Sequence, residues 1–274
     1  MSKRLGWPWA VLGLVLLFAA CDVKVGDNGV SVDFAVGKAT DDWRRSYSIQ
    51  PGARLEIINV NGAIHASSSS GAQVDVHAMR EARAGSEDAA RKILGKAEMR
   101  EEISPDRVSV TSPDDQGEGV GFRPRLTIRY EVRIPPDLNV LLKTQNGEVR
   151  LDNIQGRITA STTNGRITGS GIAGSIDAST VNGGIQMDLK AVTGETRLVT
   201  VNGGIQITVP PGVNADLDAG VVNGAVVVQD RFPLTADART RQRVAGRIGN
   251  GGPRIVVQTT NGGVRVGTRG EPGP

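Results

Sequence analysis

The chain has one cysteine, two histidines and almost no aromatic side chains, which make up 3% of its 274 residues. A lone thiol, Cys21, excludes an internal disulfide framework. Two histidines, His65 and His77, leave little material for a nucleophilic triad or a histidine-built metal site. So few aromatics exclude a large aromatic core, and burial must come from Ile, Val, Leu, Ala and Thr. Charge of one sign is also missing. Without Lys3 and Arg4 the balance is 30 basic to 29 acidic residues, which gives no general attraction to nucleic acid. No cofactor is expected, because each Gly-rich segment leads into strand pattern rather than into a helix that could cradle phosphate.

What the chain has is glycine, 36 residues of it, placed with regularity. Seven Asn-Gly pairs begin at Asn61, Asn146, Asn164, Asn182, Asn202, Asn223 and Asn261. Each has Ile or Val three residues after the Asn: Ile64, Val149, Ile167, Ile185, Ile205, Val226 and Val264. Counting from each Asn as zero, positions −6, −4, −2, +3 and +5 are apolar, Gly or Thr apart from Asn59, and Thr occupies −2 in five copies. Residues between them are expected to face water. Alternation with period two on both sides of a turn marks half-exposed strands. From Asn146 to Asn223 the spacings are 18, 18, 20 and 21 residues, and the step to Asn261 is 38, about two repeats.

Two windings fit this pattern. Asn-Gly is the strongest hairpin dipeptide, so an antiparallel meander is the plainer one. It would set Asp177 beside Asp188 and Lys143 beside Arg150, and like charges across a ladder are unfavourable. Parallel coils instead stack Thr159, Asp177, Arg197 and Asp218 in one column and bring Glu148 next to Arg166. The expected fold class is therefore all-β, a parallel β-solenoid of roughly 20-residue Asn-Gly repeats. One helical excursion is expected near residues 86–99, capped by Ser86, with Ala90, Ile93, Leu94 and Ala97 at helical spacing. Strands are expected around Val108 and Val110 and over Leu126–Ile134. In this winding the corner Asn bonds backbone groups of neighbouring rungs, and the Gly beside it takes a positive φ.

Residues 1–20 read as an export signal: Lys3 and Arg4, then an apolar run about a dozen residues long, too short to span a bilayer. The end, Leu17-Phe18-Ala19-Ala20-Cys21, resembles the bacterial lipoprotein signal, with Phe18 where Leu is usual. Cys21 is then the lipid-attachment residue; an ordinary cleaved signal with an unrelated Cys is the plainer alternative. The expected divisions are a signal peptide at 1–20, a tether at 21–45 with a short hairpin around Asp27-Asn28-Gly29, the solenoid at 46–268 and a disordered tail at 269–274.

Chemistry is sparse. Asp177, Asp188, Glu195, Asp216 and Asp218 lie on neighbouring repeats, but Gln145–Val228 holds no Trp, Tyr or Phe to form a sugar platform. These carboxylates read as a solvated ladder and His65 as a surface residue, so no catalytic residue and no metal ligand is assigned. The irregular stretch from Asp230 to Gly252 gathers Arg231, Arg239, Arg241, Arg243 and Arg247. Either these form a basic protrusion that meets anionic lipid, polysaccharide or a partner, or the stretch is a solvated loop or short helix packed on the solenoid end; the second is preferred.

Taken together, Tyr47-Ser-Ile-Gln-Pro-Gly, Val60-Asn61-Gly62-Ala63-Ile64, Tyr130-Glu-Val-Arg-Ile-Pro135, the Asn-Gly series and Gly246-Arg-Ile-Gly-Asn-Gly-Gly-Pro253 resemble an uncharacterised bacterial β-strand-repeat family, a domain of unknown function labelled "putative adhesin". The resemblance spans about Tyr47 to Val266. It implies a β-solenoid-like domain outside the cytoplasm and carries over no catalytic residue. The expected function is a lipid-anchored, non-catalytic scaffold or adhesive surface in the bacterial cell envelope, on the inner or outer membrane. Its partners would be the membrane, through the lipid, and an envelope protein or polysaccharide. A regulatory lipoprotein that senses envelope stress through a protein partner is the alternative, and a polysaccharide-active enzyme a distant third.

Overall fold

The computed structural model describes residues 21–26, 29–34, 37–113, 125–229 and 232–269. The expected signal peptide and most of the expected tail lie outside them. Among the described residues no helix is long and apolar enough to cross a membrane.

Each repeat makes one coil of two strands. The strand Ile176–Asn182 buries Ile176, Ala178 and Thr180 and turns Asp177 and Ser179 away from the core. The chain bends at Asn182-Gly183, and Ile185–Leu189 then buries Ile185, Met187 and Leu189. Neighbouring coils repeat this in parallel and in register: Ile158, Ile176 and Thr196 align, as do Asn164, Asn182 and Asn202. Two sheets result, of 11 and 10 strands, whose inner faces enclose one aliphatic core. The winding is stacked, as the charge pattern required. Asp177 lies beside Arg197, while Asp188 belongs to the other sheet.

The order of coils departs from chain order at both ends. Near the start, Arg54–Ile58 lies between the later strands Arg107–Thr111 and Asn139–Asn146, and Ile64–Ser68 lies between Arg125–Ile134 and Val149–Asp152. Near the end, the strand Arg254–Asn261 lies between Thr196–Asn202 and Ala215–Asn223, and Val264–Thr268 lies between Ile205–Val209 and Val226–Val228. The expected column of Arg197 followed by Asp218 is therefore wrong, because Val256 sits between them in register. The chain leaves one slot empty, builds the outer coil, turns back and fills the slot with its last repeat. Asn214 Oδ1, which accepts from the Asn250 backbone at 2.8 Å, ties down the returning turn.

The stretch expected to be irregular, 230–252, is mostly an antiparallel hairpin of Leu234–Arg239 and Arg243–Ile248 laid against Ala215–Asn223. Neither a loose loop nor a helix forms, because the buried, alternating Val244, Gly246 and Ile248 continue the sheet. The hairpin tip also finishes the corner. Val221 donates its backbone N–H to Gln242 O and Val226 to Arg241 O, each at 2.9 Å. These carbonyls take the place of those a further coil would supply, as Gly204 O does for Ile185 at 3.0 Å. An end coil closed in this way leaves fewer free donors for aggregation.

At the opposite end, antiparallel strands also flank the coils. Arg100–Ser104 pairs with Arg107–Thr111, and Gln73–Ala84 pairs with both Arg125–Ile134 and Gly37–Ser48. The helix is Glu87–Lys96. Ser86 caps it, accepting from the Ala89 N–H at 3.2 Å, and Ala90 and Leu94 are buried. It stops three residues before the expected Met99. The expected tether divides. Cys21–Gly26 and Gly29–Phe34 form the short hairpin, whereas Gly37–Ser48 is a sheet strand paired along its whole length. The boundary placed at residue 45 thus falls inside a strand, whose Tyr47 is buried.

Candidate contact surface

The Asn-Gly corners form one exposed line along the solenoid. The seven amides are linked to one another, where the sequence suggested bonds to backbone groups. Asn146 Nδ2 donates to Asn61 Oδ1 at 2.8 Å, Asn164 to Asn146 at 2.7 Å, and Asn182 to Asn164 at 2.9 Å. Asn202 donates to Asn182 and Asn261 to Asn202, each at 2.9 Å, and Asn223 to Asn261 at 2.8 Å. Parallel stacking in register brings identical side chains within reach and aligns their dipoles.

Thr at −2 performs the job expected of the Asn. Thr162, Thr180, Thr200 and Thr259 donate to the carbonyls of Gly147, Gly165, Gly183 and Gly203 at 2.9, 3.0, 2.8 and 2.8 Å. Each hydroxyl is buried and satisfies a corner carbonyl of the adjoining coil. In the first repeat Asn59 stands at −2. Its Nδ2 donates to Gly62 O and Ile128 O, and its Oδ1 accepts from the Ser112 hydroxyl, which meets the Tyr130 hydroxyl at 2.7 Å. Burial holds the Tyr130 phenol well above its usual pKa.

Gly62, Gly203, Gly224 and Gly262 take the expected positive φ, whereas at the other three corners the Gly is needed for closeness alone. Gly147, Gly165 and Gly183 lie outside the left-handed region. A Cβ at Gly183 would stand 1.8 Å from Gly165 O, and one at Gly165 1.9 Å from Gly147 O.

Beside the Asn line runs a second column, at −1, that the sequence reading passed over as merely outward-facing. Val181, Val201 and Val222 are 41%, 39% and 60% exposed, and Thr260 stands between the last two. The signal was available: Val fills −1 in four of the seven copies, Val60 included. The corner therefore presents branched apolar groups beside a row of amide edges.

The charged candidates are placed as follows. His65 Nε2 meets Asp152 at 2.7 Å, and Arg150 meets the same carboxylate at 3.0 Å. His77 meets Asp42 at 2.5 Å, and this hydrogen bond is the main reason Asp42 titrates below the usual carboxylate range. Among the described residues no three His, Cys, Asp or Glu side chains gather as a metal site. Asp188 is held by Arg269 at 2.5 Å. Glu148 lies next to Arg166 on the adjoining coil, as expected, and its carboxylate accepts from Thr168 at 3.3 Å. Of the basic patch, Arg239, Arg241, Arg243 and Arg247 are exposed on the terminal hairpin, and Arg243 is bound to Asp218 at 3.1 Å. Arg231 lies outside the described residues. Cys21 opens the first hairpin strand.

No curated protein matches the chain. Solved structures similar to it include a "putative cell adhesion protein" from Clostridium sporogenes, 10% identical, with a TM-score of 0.48 over 84% of this chain and 100% of that one. A "putative adhesin" from Bacteroides fragilis is 10% identical, with a TM-score of 0.35 over 84% and 97%. A "putative lipid binding protein" from Parabacteroides distasonis is 11% identical, with a TM-score of 0.27 over the same shares. Residues 137–267, which hold six of the seven Asn-Gly corners, match the family described as Toastrack DUF4097.

Proposed function

We propose that the protein is a non-catalytic contact protein of the bacterial cell envelope, held by lipid on Cys21, and that its contact surface is the Asn-Gly corner. The observation that carries this is the column Val181, Val201 and Val222, exposed beside the Asn ladder. These side chains face away from the core, so packing of the interior does not call for valine there. Aligned apolar groups flanked by amides suit a flat, extended partner, to which a rigid solenoid loses little entropy on binding. Anchoring rests on the residues before Cys21, and the family match and the similar proteins fit a surface role.

The test uses the lipidated protein with fixed cells and extracellular matrix. Wild type is expected to bind, and Val181→Ser, Val201→Ser and Val222→Ser combined to lose most of that binding while melting like wild type. Unchanged binding by the triple variant would remove the corner from the reading. Cys21→Ala is expected to move the protein from membranes to the soluble fraction. Recovery of a membrane regulator from intact envelopes, with no cell or matrix binding, would favour the sensor instead.

A further inference from the structure

The strand Gly37–Ser48 is the last strand of the 10-stranded sheet. All 12 of its residues pair with Gln73–Ala84 on one side, and among the described residues no strand pairs with the other side. A long open edge is a template for another chain. Its centre reads Asp41-Asp42-Trp43-Arg44-Arg45, two acids and two bases placed symmetrically about a tryptophan.

We propose that this edge pairs with the same edge of a second copy, antiparallel and centred on Trp43, to form a two-fold dimer with one sheet running through both copies. In that register Asp42 stands opposite Arg44 of the second copy, Asp41 opposite its Arg45, and Thr40 opposite its Ser46. Each favourable pair occurs twice by symmetry. Other registers are worse. A shift of one residue sets the outward face of one copy against the inward face of the other. A shift of two in either direction puts Asp42 against Asp42 or Arg44 against Arg44 at the two-fold axis, and like charges there are unfavourable. Among these registers the centred one alone is free of both faults.

The side chains are disposed for it. Asp42 and Arg44 point outward and are 54% and 69% exposed. The inward pair is already held in position, Asp41 by Arg80 at 2.5 Å and Arg45 by Glu101 at 3.2 Å. Arg45 also lies over the Trp43 ring at 4.8 Å, which fixes the half-buried indole at the centre of the edge. Pairing along the strand would add roughly a dozen backbone hydrogen bonds.

The other sheet edges lack this fit. Arg100–Ser104 has five residues, and pairing with itself about its middle would oppose Glu102 to Glu102. Val226–Val228 has three residues. Leu234–Arg239 carries an irregularity between Ala236 and Ala238, which breaks its ladder.

The experiment is sedimentation of the full chain in detergent, with charge exchange at the exposed pair. Wild type is expected to be a dimer. Asp42→Arg and Arg44→Asp each turn two attractive pairs into repulsive ones and should weaken dimerisation by at least ~10-fold. The double exchange Asp42→Arg/Arg44→Asp restores the pairs with their signs reversed and should restore the dimer. In a Cys21→Ser background, Thr40→Cys/Ser46→Cys is expected to cross-link two chains on oxidation, whereas Thr40→Cys alone is not, since symmetry keeps the two copies of residue 40 apart. A monomeric wild type would overturn the proposal. So would a dimer indifferent to the single exchanges, or a double exchange no better than either single one.

Discussion

Asp218 accepts a hydrogen bond from Arg254 at 3.2 Å because the last repeat has been inserted beneath the repeat that precedes it. The C-terminal coil is thus internal. Cutting the chain before Gly252 removes buried Ile255, Val257, Val264 and Val266, and it separates Thr196–Asn202 from Ala215–Asn223. Four buried aliphatic side chains represent roughly 6–12 kcal/mol, comparable to the whole stability of a domain. The truncated chain is expected to lose cooperative unfolding in urea, followed by circular dichroism, while a chain ending after Arg269 keeps it. A truncation at 252 that unfolds like the full chain would contradict the inserted coil.

Thr180 matters more than Asn182 for stability. Thr180 is buried and its hydroxyl satisfies Gly165 O. Thr180→Val keeps the shape, strands that carbonyl and should cost about 1–3 kcal/mol. Asn182→Ala breaks two amide bonds on an exposed ladder, where water replaces them, and should cost about 1 kcal/mol or less. The comparison is read from urea midpoints, and the reverse order would return the structural role to the Asn.

Gly183 and Gly85 should respond oppositely to alanine. A Cβ on Gly183 would collide with backbone, Gly165 O at 1.8 Å, and a backbone atom has nowhere to go. Gly183→Ala is expected to cost more than about 2 kcal/mol. Gly85 has open space around its added carbon and no positive φ, so Gly85→Ala should be neutral or slightly stabilising. Equal melting temperatures for the two variants would refute the close stacking of corners.

These contrasts show where the sequence was legible. Period-two alternation around each Asn specified which residues are buried, and the charges at Asp177 and Asp188 distinguished coils from hairpins. The first signal is local and recurs in each repeat; the second comes from a single repeat. The inserted coil was not legible. A step of 38 residues from Asn223 to Asn261 reports that two repeat lengths pass, not in which slot the chain comes down. The Asn ladder was misread because Asn amides can bond backbone or side chain, and only the register, Asn164 on Asn182 on Asn202, decides between them. The contact column at −1 was visible as repeated Val but was hidden by treating each outward position as solvent-facing.

Acid should loosen the outer strands before the coils. Glu81 titrates below its usual range, chiefly through its bond to Lys38 and then through Arg83, and it ties Gly37–Ser48 to Gln73–Ala84. A carboxylate depressed on folding contributes stability that is present above its unfolded pKa, near 4, and is lost as pH falls through the folded value. Glu81→Gln should therefore lower the urea midpoint slightly at pH 6, by about 0–1 kcal/mol for a partly exposed pair, and the difference should close below about pH 4. A gap that persists unchanged at pH 3 would show that packing, not charge, sets the effect of this residue.

Thr196 is where the repeat can be improved. At −6 the neighbouring coils carry Ile176 and Ile255, and Thr196 stands between them in register. It is 1% exposed, and its hydroxyl is the one buried side-chain polar atom among the described residues without a hydrogen-bond partner. Five other Thr hydroxyls, at −2, find corner carbonyls, but at −6 the Thr196 hydroxyl finds none. Thr196→Val replaces the hydroxyl by a methyl group of nearly the same size, so it removes the unmet desolvation cost without opening a cavity. The expected gain is about 1–2 kcal/mol, read as a higher urea midpoint with an unchanged slope. Thr196→Ser keeps the hydroxyl and loses a methyl, and it should go the other way. A destabilised Val variant would mean that the hydroxyl is satisfied after all, by an ordered water between the coils.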